Sequence, residues 1–267
     1  MEKYPHVGRA DHERTAPAAR PSWQHVVWLL ASALLLLAIL ALWTQSAAAQ
    51  TARGEDTLRR VLALPANEVQ GGALYALRCA SCHGSLGTGD ADRVVPSIAG
   101  QLQGYVAKQM IDVAEGDRTI PEMHRALARA DLISPQAIRD VAAFVSALAP
   151  LRTPAQGDGK AVVVGEQIFL AHCSHCHGKD AQGMEAGWVP ALRGQHYAYL
   201  IKQMRQAAAG HRYSMDFEAS ERLEALMLPD LMAIADFLSR KTATVSAKVP
   251  LKPNGLSNDS IVHKDLP

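Results

Sequence analysis

The strongest hydrophobic feature of the chain is an eighteen-residue run without charge, VVWLLASALLLLAILALW over 26–43, with Lys3, Arg9, Arg14 and Arg20 ahead of it. As a helix rising about 1.5 Å per residue it reaches ~27 Å, enough to cross a hydrocarbon core of about 30 Å. Trp23, Trp28 and Trp43 stand near its ends, where interfacial aromatics collect. The basic residues before the run place 1–25 in the cytoplasm and send everything after Trp43 across the membrane. Two fates stay open for 26–43. One is a retained transmembrane anchor or uncleaved signal, favoured by the length of the run and of the polar stretch before it. The other is a signal removed after Ala47-Ala48-Ala49.

Beyond residue 68 the pattern changes to short amphipathic segments. Residues 74–82 and 167–176 predict short helices, and 101–114 and 195–209 carry apolar positions at three-four spacing, each closed by a glycine. Ser134-Pro135 opens a last helix to about 148, with serine as N-cap and proline at the first helical position. Leu228-Pro229-Asp230 opens its counterpart, to about 238. Gly-rich loops over 84–100 and 178–194 show no strand-like alternation, and after Lys241 the pattern fades into a flexible tail.

These segments are one pattern written twice. At an offset of 94 residues, Gly71 falls on Gly165, Cys79 on Cys173, Cys82 on Cys176, His83 on His177 and Gly84 on Gly178. The register continues through Gly89 and Gly183, Val95-Pro96 and Val189-Pro190, Gly100-Gln101 and Gly194-Gln195, and Tyr105 and Tyr199. It holds for Lys108-Gln109-Met110 on Lys202-Gln203-Met204, Gly116 on Gly210 and Arg118 on Arg212. It then slips by one residue, so that Ala142 and Phe144 match Ala235 and Phe237. The expectation is an all-α protein with a first domain over 69–150, a linker over 151–162 and a second domain over 163–240. A linker over 44–68 precedes them and a tail over 241–267 follows.

Composition narrows the chemistry. With 27 basic and 26 acidic side chains the net charge is +1, which lacks the basic excess of a nucleic-acid binder. Aromatic residues make up 5%, so a core built from side chains alone is thin. The four cysteines all belong to the repeat, as Cys79-Ala80-Ser81-Cys82-His83 and Cys173-Ser174-His175-Cys176-His177, leaving none for a disulfide framework. Residues at i, i+3 and i+4 share a helix face, so two thiols and an imidazole converge on one flat object. Two thiols that add to haem vinyl groups, beside an imidazole that takes the iron, is the attachment logic of c-type haem. A covalently held porphyrin also completes the core of a small domain. A four-cysteine zinc site spaces its two pairs by about 15–20 residues rather than by ninety, and a thioredoxin-like pair requires a βαβ pattern that is absent.

Iron in electron-transfer haems commonly pairs histidine with a methionine thioether. In the first unit Met123 lies 40 residues after His83, in the loop before the last helix, while Met110 sits inside an amphipathic helix as core filler. In the second, Met215 lies 38 residues after His177, two positions off strict register, with Met184, Met204, Met227 and Met232 as weaker candidates. His124, His196 and His211 are the runner-up ligands. Pro96 and Pro190 each follow the motif histidine by 13 residues, so their carbonyls are candidate acceptors for its second nitrogen, or simply stiffen the loop. Arg118 and Arg212 either pair with haem propionates or face solvent.

These residues resemble the c4-type dihaem cytochromes c, built from two class I cytochrome c domains. The resemblance rests on C-x-x-C-H-G, then Pro96-Ser97-Ile98-Ala99-Gly100-Gln101, Tyr105, Gln109, Gly116-Asp117-Arg118, Met123 and Phe144. The second half repeats it with Pro190-Ala191-Leu192-Arg193-Gly194-Gln195, Tyr199, Gln203 and Gly210-His211-Arg212. It covers about residues 70 to 240 and implies two covalently bound haem c groups, each wrapped by one domain. The attachment residues are then Cys79, Cys82, Cys173 and Cys176, and the axial ligands His83 with Met123 and His177 with Met215. It implies single-electron carriage on the periplasmic side of the bacterial inner membrane. The donor is then a cytochrome bc complex or a dehydrogenase, and the acceptor a partner such as a terminal oxidase. Two other functions stay in view: a dihaem enzyme of the cytochrome c peroxidase kind, in which one iron opens to peroxide, and a haem subunit dedicated to one membrane dehydrogenase.

Overall fold

A computed structural model describes residues 23–128, 132–212 and 217–242, and among them the chain is helical, without strands. The chain divides into two units, residues 1–52 and 53–267. Helix α1 (Trp23–Ala63) begins in the first unit, where Val26, Trp28, Leu29, Leu34, Leu37 and Leu40 are exposed. Among the described residues no helix is long and apolar enough to cross a membrane, so the spanning part of the expectation for 26–43 has no support from the fold.

In the second unit the last turns of α1 close over a bundle of α2 (Glu68–Arg78), α3 (Ala80–His83), α4 (Gln103–Glu115), α5 (Pro121–Leu127) and α6 (Pro135–Ala147). A second bundle repeats it with α7 (Val162–His172), α8 (Ser174–His177), α9 (Tyr197–Ala208), α10 (Phe217–Glu224) and α11 (Leu228–Arg240). Each bundle is framed by the crossing of its first and last long helices, α2 on α6 and α7 on α11. Both crossings are made at a glycine. A Cβ on Gly71 would stand 2.1 Å from the Asp140 carbonyl oxygen, and one on Gly165 1.9 Å from that of Ala233. The aromatic pairs beside them also match, Tyr75 with Phe144 at 5.3 Å between centroids and Phe169 with Phe237 at 5.5 Å. The buried apolar sets stay separate, one centred on Tyr75, Val113, Val141 and Val145, the other on Phe169, Ile234 and Leu238.

The structure departs from the sequence expectations in three places. Part of the stretch read as a linker over 44–68 is packed: Leu58 and Val61, on the inner face of α1, are buried in the first core. The helices read as 74–82 and 167–176 are each broken at the first cysteine of the motif. Cys79 (φ −110°, ψ −35°) and Cys173 (φ −121°, ψ −30°) separate α2 from α3 and α7 from α8. Hydrogen bonding nevertheless continues through the bend, Cys79 N–H donating to Tyr75 O and His83 N–H to Cys79 O, both within 2.9 Å. Finally, the stretches before each last helix contain α5 and α10. Pro121 at the start of α5 and Glu122 in its first turn are the ordinary signals of a helix start.

The Gly-rich loops are tight as well as irregular. Val94 (φ 55°) and Trp188 (φ 53°) hold left-handed backbone at matching positions, a strained conformation for bulky side chains. Each sits inside a small turn closed by an isolated bridge, Asp90 with Val95 and Met184 with Val189. The strain falls two residues before Pro96 and Pro190, whose carbonyls it helps to aim.

Candidate functional site

The two motifs present the same chemistry. Their cysteines are free thiols, Cys79, Cys82 and Cys173 half-buried and Cys176 exposed. Burial, with the neighbouring Cys82, pushes the Cys79 thiol up to about 11. Burial likewise raises Cys173 to about 11, against the pull of Arg222. Each motif histidine donates from Nδ1 to a proline carbonyl, His83 to Pro96 O at 3.2 Å and His177 to Pro190 O at 3.0 Å. Burial lowers both imidazole pKa values, and the proline carbonyls oppose it only in part. Each ring is therefore neutral with its proton on Nδ1, which leaves the Nε2 lone pair available to a metal. Among the described residues no three His, Cys, Asp or Glu side chains gather around a point, so the two C-x-x-C pairs do not build one shared metal site.

The two bundles meet through a reciprocal set of contacts. Gln101 pairs with the backbone of Ala191, its Nε2 donating to Ala191 O and its Oε1 accepting from Ala191 N–H, both at 2.9 Å. Gln195 does the same to Ser97, donating to Ser97 O at 2.7 Å and accepting from Ser97 N–H at 3.0 Å. Arg118 donates to Tyr199 Oη at 3.1 Å and Gln203 Oε1 at 2.6 Å, and within its own half to Gln109. Its mate Arg212 reaches back to Tyr105 Oη at 3.3 Å and Gln109 Oε1 at 3.4 Å. Burial would raise the Tyr105 phenol, but the Arg212 and Arg118 guanidiniums outweigh it and hold its pKa below the usual value. Three contacts have no mate. His196 donates from Nε2 to Thr88 O and accepts at Nδ1 from Ala155 N–H. Glu185 accepts from the Gln103 and Gly104 N–H groups at the start of α4. Trp188 lies over Gly104 and packs on the first core.

Arg118 and Arg212 line a cavity of about 310 Å³ with Thr119, Gln206 and His211. Among the described residues, the buried Nε of Arg212 has no hydrogen-bond partner. A buried cationic donor of this kind calls for an anion. A haem brings two carboxylates on one edge, so the unpaired donor, the Nδ1-protonated histidines and the thiol pairs together fit that group.

The methionines are placed unequally. Met123 lies on α5, half-buried against the first core, rather than in a loop. Met110 is buried in that core and Met204 packs on the second, as fillers. Met184, Met227 and Met232 are exposed, and Met215 lies outside the described residues. Of the runner-up histidines, His196 has both ring nitrogens engaged, His124 lies on α5 and His211 lines the cavity. The sequence reading gave Gln101 and Gln195 no role, although their identity across the repeat was a signal. Glu185 and Trp188 carried none, because Ala91 and Val94 stand at the matching positions, and His196 was read as a runner-up ligand rather than as a link between the domains.

Comparison with known proteins agrees with this geometry. The model of the cytochrome c family matches residues 69–149 and 162–232, one match per bundle. The chain is 30% identical over 187 residues to a cytochrome c4 of Pseudomonas aeruginosa, covering 66% of this chain and 90% of that protein. It is 31% identical over 188 residues to a thiosulfate dehydrogenase electron acceptor of Thiomonas intermedia, covering 65% and 84%. The crystal structure of reduced recombinant cytochrome c4 from Pseudomonas stutzeri superposes with a TM-score of 0.59 at 26% identity, over 67% of this chain and all of that one. The chain belongs to the cytochrome c family, as a two-domain member of the c4 type. Its cofactors are two covalently bound haem c groups, one per domain, and its work is electron transfer.

Proposed function

We propose that the chain is an exported electron carrier with no substrate chemistry of its own. It takes single electrons from a cytochrome bc complex or a dehydrogenase and delivers them to an acceptor such as a terminal oxidase. The observation that carries this reading is the matched pair of motif histidines, each with Nδ1 tied to a proline carbonyl, which leaves the Nε2 lone pair to take a metal. Haem iron, when bound, supplies a one-electron couple between ferric and ferrous states. Cys79 and Cys82 would hold the first group through thioethers and Cys173 and Cys176 the second, while His83 and His177 would each offer the iron a ring nitrogen. Met123 and Met215 would each offer it a thioether sulfur. The carbonyls of Pro96 and Pro190 fix the plane and basicity of the two rings. Arg118 and Arg212 would neutralise haem carboxylates at the interface, where the buried Nε of Arg212 has no partner among the described residues.

The domains in this reading run over 69–150 and 163–240. The run 26–43 serves as export signal or anchor, placing both domains on the periplasmic side. The uncharged run in the sequence and the basic residues before it support this role. The relative named as an electron acceptor of thiosulfate dehydrogenase supports a dehydrogenase as donor. Ligation by Met123 and Met215 would leave neither iron open to peroxide, in contrast to a dihaem peroxidase.

A coulometric titration of the purified protein tests the proposal. Uptake of two electrons per chain in one-electron steps, with a ferric spectrum unchanged by hydrogen peroxide, is the expected result. A ferric spectrum that shifts with peroxide, accompanied by turnover of a reducing substrate, would overturn it.

A further inference from the structure

Gln101 and Gln195 do more than join the two halves. Each side-chain amide closes a ring of two hydrogen bonds with one residue of the other domain, Ala191 or Ser97. Those residues directly follow Pro190 and Pro96 in the chain. The peptide unit between Pro96 and Ser97 therefore turns its carbonyl to His83 of its own domain and its N–H to Gln195 of the other. The unit between Pro190 and Ala191 turns its carbonyl to His177 and its N–H to Gln101. Both glutamines are held in place, because each Oε1 also accepts the N–H of the following residue, Leu102 or His196, at 3.0 and 2.9 Å. Ser97 and Gln195 are buried, at 8% and 9% exposure, so little water competes for the N–H.

A peptide group is conjugated, and an acceptor on its N–H moves charge toward its oxygen. Hydrogen bonds linked through such a group strengthen one another in a low-dielectric interior. The Pro96 carbonyl is thus a better acceptor for His83 Nδ1–H when Gln195 is docked, and His83 gains anionic character. That electron density at the ligand favours the ferric state.

We propose that Gln101 and Gln195 are positioning residues through which each domain sets the reduction potential of the other domain's haem. The inference rests on the reading of His83 and His177 as iron ligands. Gln195 then lowers the potential of the first haem and Gln101 that of the second, and separating the domains raises both.

The test uses the full holoprotein with Gln195→Met, which keeps the length of the side chain without its amide. Gln195→Asn, which withdraws the amide by one methylene, serves as a second variant should the first not fold. The potential of each haem and the Nδ1–H proton resonance of each motif histidine are read, with X-ray scattering to check that the domains stay docked. The expected result is a higher potential and a moved His83 resonance at the first haem only, shifting the electron-sharing equilibrium several-fold toward it. Gln101→Met should do the same at the second haem. Potentials that stay put in docked variants, or that move equally at both haems, overturn the proposal. If neither histidine shows a paramagnetically shifted ring in the wild-type ferric protein, the ligand assignment itself has failed, before any variant is compared.

Discussion

His83 and His177, proposed as iron ligands, stand in a contiguous motif, which is why the sequence singles them out. Cys79, Cys82 and each histidine are neighbours in the chain, and the repeat doubled the signal. The methionines proposed as iron ligands were harder to read, since the partner of an iron is fixed by a fold that brings distant residues together. Met123 was placed in a loop and lies on α5. Met123→Ala should leave the protein folded with two haems but remove the sulfur-to-iron band of one, with a high-spin signature in its place, as seen by visible absorption. An unchanged spectrum would point to another ligand for the first haem. Tyr75 offers a built-in control at the same scale. Its hydroxyl donates to Gly84 O at 2.6 Å, whereas its mate in the second domain is Phe169. Tyr75→Phe should therefore cost about 1 kcal/mol, the net worth of one hydrogen bond, in a urea titration followed at the first domain.

Helix starts were legible at Ser134-Pro135, whereas the signals Pro121 and Glu122 at the start of α5 were missed. Ser134 caps α6 as expected, its hydroxyl oxygen accepting from Ala137 N–H at 3.1 Å. Ser134→Ala should lower stability by about 1 kcal/mol, measured by chemical denaturation. Helix crossings were less legible. Gly71 and Gly165 stood out in the repeat, but only the fold shows that each lets a backbone carbonyl of the partner helix lie where a Cβ would be. Gly165→Ala should cost about 1–3 kcal/mol by forcing α7 away from α11, and calorimetry should show the second domain melting earlier than the first. The bends at Cys79 and Cys173 escaped the reading, because local periodicity does not report a change of helix axis that leaves the hydrogen bonds intact.

At the scale of the whole molecule, the duplication was visible in the sequence and the interface was not. An internal register shows that two units share a pattern, but says nothing about which faces meet. The reciprocal contacts that Gln101 and Gln195 make with Ala191 and Ser97, and that Arg118 and Arg212 make with the tyrosines and glutamines across from them, start from residues already marked by the repeat, whereas Trp188 and Glu185 break it. Trp188 reaches across to pack over Gly104, with Arg59 stacked on its ring at 5.9 Å. Trp188→Ala should loosen the docking by about 2 kcal/mol, below the usual cost of truncating a fully buried tryptophan. Limited proteolysis should then cut the 151–162 linker sooner, with both haems retained. The central claim is that one haem-binding unit, capped by histidine and methionine, occurs twice. A visible spectrum of the oxidised and reduced protein, with haem counted per chain, tests it most directly. Two haems per chain, with a far-red sulfur-to-ferric-iron band of the strength two sites require, is the expected result. One haem, or a band for one site beside a high-spin signal, would contradict it, and the assignment of Met215 would be the first to fall.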